Sequence, residues 1–172
     1  MSSDHDSATR AHSPEAFLTA AGITLPAAPP PAANYVPAVR TGNLVYLAGQ
    51  GPIANGKPVM TGKVGAGVTE EEGYQAARLA GLNALAVLRA ELGSLDRVRR
   101  IVKLMAWVNS APGFTRQPAV VNGVSDLMVE VFGEAGRHAR SAVGANELPF
   151  DIPVEVEMIV EVEPVPAEHE RG

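Results

Sequence analysis

The order of hydrophobic patterns predicts an α+β domain: one mixed sheet with two helices on one face, in the order β-β-α-β-α-β-β. Three observations predict it. Helical periodicity runs from the Thr69 region to Leu92 and again from about Thr115 to Phe132, each time after strand-like segments. The final strand, Val154-Glu155-Val156-Glu157-Met158-Ile159, alternates strictly between apolar and acidic residues until Ile159. Finally, 172 residues with 46% hydrophobic content support one substantial core and no second domain.

In chain order, Ser13-Pro14-Glu15-Ala16-Phe17-Leu18 predicts a short helix with Ser13 as N-cap and a stop at Gly22. Leu25 to Pro31 reads as an extended proline-rich connector, an arm that either wraps the domain or hangs loosely from it. Residues 1–34 are thus taken as an N-terminal extension, 35–163 as the domain, and 164–172 as a mobile tail. Sheet begins at Val39, with Arg40-Thr41-Gly42-Asn43 as a turn and Leu44-Val45-Tyr46-Leu47-Ala48 as a buried strand. Asn55-Gly56 is a hairpin signal ahead of Lys57-Pro58-Val59-Met60.

Thr69-Glu70-Glu71-Glu72 is a capping box. The helix it starts carries Tyr74, Ala77, Gly81, Leu85, Leu88 and Leu92 on one face and ends at Gly93. Its alanines and Gly81 predict close approach to the sheet. Val98 to Val108 reads as a long central strand, with Ile101, Lys103, Met105 and Trp107 on one face and Val102, Leu104, Ala106 and Val108 on the other. The next helix buries Val120, Val121, Val124, Leu127, Met128, Val131 and Phe132, and Pro118 fits its first turn. With helices on one face only, the other face needs a further layer, which a symmetric oligomer supplies.

Composition excludes several chemistries. Cysteine is absent, so disulfides, thiolate nucleophiles and thiolate-bound metals are out. A net charge of -5 argues against a broad nucleic-acid surface. The local cluster of Arg97, Arg99, Arg100 and Lys103 is expected at a solvated sheet edge or subunit rim, with an RNA patch as the alternative. No apolar stretch approaches a membrane span, and Met1-Ser2-Ser3-Asp4-His5-Asp6 does not open a secretory signal, so a cytoplasmic location is expected. His5, His12, His138 and His169 make no metal-ligand spacing; no metal and no cofactor are expected.

The chemistry-bearing candidates are Arg140 and Glu155. Arg140 lies in the strand-like His138-Ala139-Arg140-Ser141-Ala142-Val143, one turn before the strand of Glu155, so an antiparallel hairpin is expected to bring the two within reach. Arginine's planar fork suits a substrate carboxylate, and a nearby glutamate can orient water or move a proton. His138 shares Arg140's face by alternation and is expected to be structural. Tyr35, after the proline connector, and Asn122, mid-helix without a capping duty, are further candidates to line a cleft.

On these residues the chain resembles the reactive intermediate/imine deaminase family, also called the YjgF/YER057c/UK114 family and formerly endoribonuclease L-PSP. The resemblance covers roughly residues 34–162. It rests most on Ala139-Arg140-Ser141-Ala142-Val143 running to Leu148-Pro149 and Val154-Glu155-Val156-Glu157, with support from Asn34-Tyr35, Gly42 to Gln50, Val102-Lys103 and Val121-Asn122. It implies a chorismate-mutase-like fold and a homotrimer with three clefts between subunits. It also implies hydrolysis of 2-imino or 2-enamino acids to 2-oxo acids and ammonia. By the same resemblance Arg140 matches the carboxylate-binding arginine and Glu155 the water-associated glutamate. Tyr35 and Asn122 match the tyrosine and asparagine of the cleft, and Gly49 lies in a segment that borders it.

Two departures stand out: Ala48 where the family often has serine, and Ala142 where it often has cysteine. They keep open a carboxylate-ligand binding protein or a divergent pathway enzyme. A ribonuclease activity fits the acidic composition less well.

Overall fold

The computed structural model describes residues 13–28 and 33–164. Pro29-Pro30-Pro31, His5, His12, His169 and the segment after Pro164 lie outside the described residues.

Among the described residues, three α-helices and two sheets make up the fold. Helix α1 (Pro14–Ala20) is followed by strands β1 (Ala38–Thr41) and β2 (Leu44–Gln50) and a small hairpin, β3 (Ile53–Ala54) with β4 (Lys57–Pro58). Then come α2 (Glu70–Leu92), β5 (Val98–Asn109), α3 (Gln117–Phe132), β6 (Ala139–Ala145) and β7 (Val154–Val162). The main sheet has the order β1-β2-β7-β5-β6, antiparallel except for the parallel β5–β6 pair. The α+β architecture is therefore as predicted, α1 is the short helix expected after Ser13, and short 3₁₀ turns are added.

Local chemistry sets each boundary. Thr69 accepts from the Glu72 N–H while the Glu72 carboxylate accepts from the Thr69 N–H, and Gly93 closes α2 at φ 80°. Ser13 caps α1 by accepting from the Ala16 N–H. That helix is docked on the domain: Leu18 and Leu25 are buried, and the Glu15 carboxylate accepts from the Leu95 N–H and pairs with Arg89. Arg40 and Thr41 belong to β1 instead of a turn, which leaves Gly42-Asn43 as a two-residue hairpin link with Gly42 at φ 56°. The second helix starts at Gln117, two residues later than its periodicity suggests, and β4 stops at Pro58, which has no N–H to continue a ladder.

Two packing expectations are corrected. In β5, register shifts between Val98 and Arg100 and between Ile101 and Lys103 break the alternation. Ile101 consequently turns inward with Leu104, Ala106 and Val108, and is fully buried. Gly81 serves a helix contact, not a sheet contact: a Cβ there would stand 2.9 Å from Val124 Cγ2 and 3.0 Å from Leu127 Cδ2, both on α3. Gly123 answers from the other side, where a Cβ would lie 2.0 Å from the Tyr74 carbonyl oxygen. Tyr74 to Asp126 at 2.9 Å and Arg78 to Glu130 at 2.7 Å join the two helices along their outer edge. Gly123→Ala is accordingly expected to destabilise the fold by about 2–3 kcal/mol, because the obstructing atom is backbone and only separation of α2 from α3 relieves it. Urea denaturation of the variant beside the parent measures this.

The helices cover the sheet face carrying Val45, Leu104, Val156, Met158 and Val160, all buried. Opposite them, Tyr46 and Val143 are exposed, while Trp107, Met105 and Ile159 are only partly covered. Among the described residues, no helix is long and apolar enough to cross a membrane.

Candidate active site

The candidate residues fall into two groups on opposite faces of the sheet. The first surrounds Arg140 on edge strand β6. Arg140 is in register with Leu104 and so points to the helix-bearing side. Its Nη1 donates to Asn122 Oδ1 at 2.8 Å and to Ser125 Oγ at 3.0 Å, both residues being on α3. Among the described residues, Nε and Nη2 have no hydrogen-bond partner, which leaves the side-on edge of the fork open for a carboxylate. Asn122 therefore has a physical reason to sit exposed in mid-helix: it holds the guanidinium.

His138 lies beside this group, with Nε2 3.1 Å from Ser125 Oγ and Nδ1 2.6 Å from the Gly136 carbonyl oxygen. Burial lowers its pKa below the ordinary imidazole value; the Gly136 carbonyl opposes that shift and the Arg140 charge adds to it. Its structural role, as expected from the sequence, is thus joined to the arginine.

The second group lines an open groove of about 510 Å³ on the other face and includes Tyr35, Tyr46, Ala48, Gly49, Glu155 and Glu157. Glu155 is in register with Trp107, so the pleat sends its side chain to the helix-free side. A Cβ on Gly49 would stand 2.0 Å from Glu155 Oε1, so glycine is what lets the carboxylate lie over β2. Burial raises the Glu155 pKa above 4.5, and the neighbouring Glu157 carboxylate raises it further. Burial also raises that of Glu157. Among the described residues Glu155 has no cationic partner, so its charge is not neutralised within the chain.

The expected Arg140–Glu155 hairpin does not form. Strand β6 pairs only with β5, and β7 lies beyond β5, between it and β2. The connection after Ala145 is no tight turn; it crosses the end of β5. Phe150 and Asp151 take φ 58° and 56°, and Asn109 Nδ2 donates to Asp151 Oδ1 to hold the bend. Two strand spacings and three residues of rise put the two Cα atoms about 14 Å apart, with the sheet between the side chains. One protomer therefore presents two half-sites: Arg140 with Asn122, and Glu155 with Gly49 and Tyr35.

Sequence reasoning missed Ser125 and gave Glu157 no role. The signal for Ser125 was its position three residues after Asn122 on the same helix face. For Glu157 it was the two-residue period from Glu155. The basic residues near Arg97 do not form one patch: Arg97 donates to the Leu92 carbonyl, Arg100 lies opposite Glu161, and Lys103 donates to Ser141 Oγ. Among the described residues, no cluster of three or more His, Asp or Glu side chains is placed to hold a metal.

Comparison with known proteins shows the family. Residues 15–162 match the family described as "YjgF/chorismate_mutase-like, putative endoribonuclease". The chain is 50% identical over 148 residues to Protein TCP17 of Trypanosoma cruzi, covering 86% of this chain and 92% of that one. It is 36% identical over 141 residues to a 2-iminobutanoate/2-iminopropanoate deaminase of Dermatophagoides farinae, covering 82% and 95%. The crystal structure of Atu1372 from Agrobacterium tumefaciens superimposes with a TM-score of 0.81 at 46% identity, covering 87% of this chain and 92% of that one. Sequence match and fold concur: the chain belongs to the YjgF family of chorismate-mutase-like proteins, the superfamily of reactive-imine deaminases.

Proposed function

We propose that the protein is a hydrolytic deaminase of small 2-imino and 2-enamino acids, acting as a homotrimer whose clefts each join the Arg140 half-site of one subunit to the Glu155 half-site of the next. The observation that carries this reading is the pair of incomplete half-sites. An arginine held by one nitrogen offers its remaining edge, and a half-buried carboxylate with no cation of its own faces an open groove. The helix-free face, with Tyr46, Trp107 and Val143, supplies the surface over which subunits would pack.

In this mechanism Arg140 binds the substrate carboxylate through Nε and Nη2. Glu155 orients a water toward C2 of the protonated imine and accepts a proton as the C–O bond forms. The carbinolamine nitrogen takes that proton back from Glu155, the C–N bond breaks as the hydroxyl proton passes to the Glu155 carboxylate, and ammonia leaves with its electron pair, giving the 2-oxo acid. Positioning and charge account for the catalysis, and no covalent enzyme intermediate is needed. The deaminase name of the Dermatophagoides farinae relative supports the substrate class.

The test is the hydrolysis of freshly generated 2-iminopropanoate and 2-iminobutanoate by the intact protein against an uncatalysed control. Acceleration supports the reading; none from a folded oligomer sinks it for these substrates. Because Glu155 acts as its carboxylate, the acid limb of kcat/KM is expected above the 4.5 of an ordinary glutamate, with activity falling as pH drops through the raised value. The same shift has the opposite sign for stability. A carboxyl with a raised folded pKa costs stability as pH climbs through that range, so Glu155→Gln is expected to inactivate the protein while raising its Tm at neutral pH. Gly49→Ala is expected to lower kcat about 10²-fold with an unchanged circular dichroism spectrum, because the new methyl displaces the Glu155 carboxylate and not backbone.

Ala48 favours one other reading. It lines the groove without the serine hydroxyl that the family resemblance implies there, which suits carboxylate binding without turnover. Calorimetric binding of 2-oxobutanoate with no imine hydrolysis would establish that alternative. The endoribonuclease description fits the site less well, since the groove presents Glu155 and Glu157 to a would-be phosphate.

A further inference from the structure

The hydrogen bonds behind Arg140 have only one consistent direction when the His138 ring is neutral. The Gly136 carbonyl can only accept, so the 2.6 Å contact requires the proton on His138 Nδ1. Gly136 is itself fixed, since a Cβ there would meet the Met128 carbonyl oxygen at 2.1 Å. With Nδ1 protonated, neutral Nε2 is a bare acceptor facing Ser125 Oγ at 3.1 Å, and the hydroxyl donates to it. The lone pairs of that oxygen are then directed elsewhere, and Arg140 Nη1 donates to it at 3.0 Å.

We propose that Ser125 and His138 form a positioning relay for Arg140, in which an Nδ1-protonated neutral imidazole fixes the Ser125 hydroxyl so that its oxygen locks the guanidinium. The anchor carbonyl of Gly136, the ring, the hydroxyl and the arginine form one chain across α3 and β6. No carboxylate is among the groups that bear on the ring: Glu130 pairs with Arg78, Glu134 with Arg137, and Asp126 accepts from the Tyr74 hydroxyl. Arg140 is the charge that bears on it. Locking Nη1 leaves Nε and Nη2 pre-aimed, so less rotamer freedom is lost when a carboxylate binds. The catalytic consequence rests on the carboxylate-anchor reading of Arg140; the direction of the relay does not.

Ring ¹⁵N spectra of the full chain at neutral pH test the direction. The Nδ1–H tautomer is expected, and a ring protonated only on Nε2 overturns the relay. Kinetics with 2-iminopropanoate test the consequence. Ser125→Ala is expected to raise KM about tenfold with kcat within about twofold, and Ser125→Thr, which keeps the hydroxyl, to restore KM. Damage to the fold would lower the active fraction and hence kcat instead. An unchanged KM in Ser125→Ala overturns the proposal. If the parent protein turns over no imine, the functional reading fails by itself. The relay is then judged by the Arg140 guanidinium signals: rotation about Nε–Cζ speeds up in Ser125→Ala if it holds and is unchanged if it does not.

Discussion

Arg140→Ala is expected to lower kcat/KM for 2-iminopropanoate by about 10³-fold, while the circular dichroism spectrum stays that of the parent. Two charge-assisted hydrogen bonds to a carboxylate, lost together, correspond to roughly 4 kcal/mol. The fold has little stake in the side chain. Arg140 lies on an edge strand, only partly buried, and its partners are an exposed Asn122 and a partly exposed Ser125. Arg140→Lys separates charge from shape. An ammonium restores the positive charge but cannot bond Asn122 and Ser125 while offering a parallel pair of donors to substrate. It is therefore expected to recover about a tenth of the lost factor, chiefly through KM. Steady-state assays on freshly generated imine check both variants, and an alanine variant within about twofold of the parent would remove Arg140 from the site.

How far the sequence specified this arrangement depends on the kind of physics involved. The ends of α2 were legible because Thr69, Glu72 and Gly93 act within a few residues of themselves. Strand faces were legible for the same reason. The alternation of β7 assigns Glu155 and Glu157 to one side and Val154, Val156 and Met158 to the other, as in the structure. Strand neighbours were not legible. Alternation records which way a side chain points and carries nothing about which strand lies alongside, so β6 and β7 read as a hairpin although β5 separates them. The Phe150-Asp151 bend that makes the crossing uses left-handed conformations at two non-glycine residues, and although aspartate tolerates that region, nothing local announces it at Phe150. The inward turn of Ile101 escaped likewise, because a bulge shifts the period without a glycine to mark it. Ser125 went unnoticed because a serine on a helix usually needs no partner; only the arrival of β6 beside α3 gives it two. Arg140 and Glu155 were thus nameable singly, while their separation depended on topology.

That separation leads to an experiment in which two inactive proteins together become active. If each cleft takes Arg140 from one subunit and Glu155 from its neighbour, Arg140→Ala and Glu155→Gln homotrimers are each inactive at all three clefts. Unfolded together in equal amounts and refolded, they assemble at random. A cleft is then intact when its arginine comes from the Glu155→Gln chain and its glutamate from the Arg140→Ala chain, each with a chance of one half. The mixture is expected to regain about one quarter of parental activity. If both residues acted within one chain, no assembly could restore a site, and the mixture would stay as inactive as its components. The geometry makes this outcome decisive, since the two side chains lie on opposite faces of one sheet with β5 between their strands. No rotamer change brings them together across a packed sheet. Recovery of activity would therefore establish both the oligomer and the direction in which its subunits meet, with the β6 edge and α3 of one facing the Tyr35–Gly49–Glu155 groove of the next.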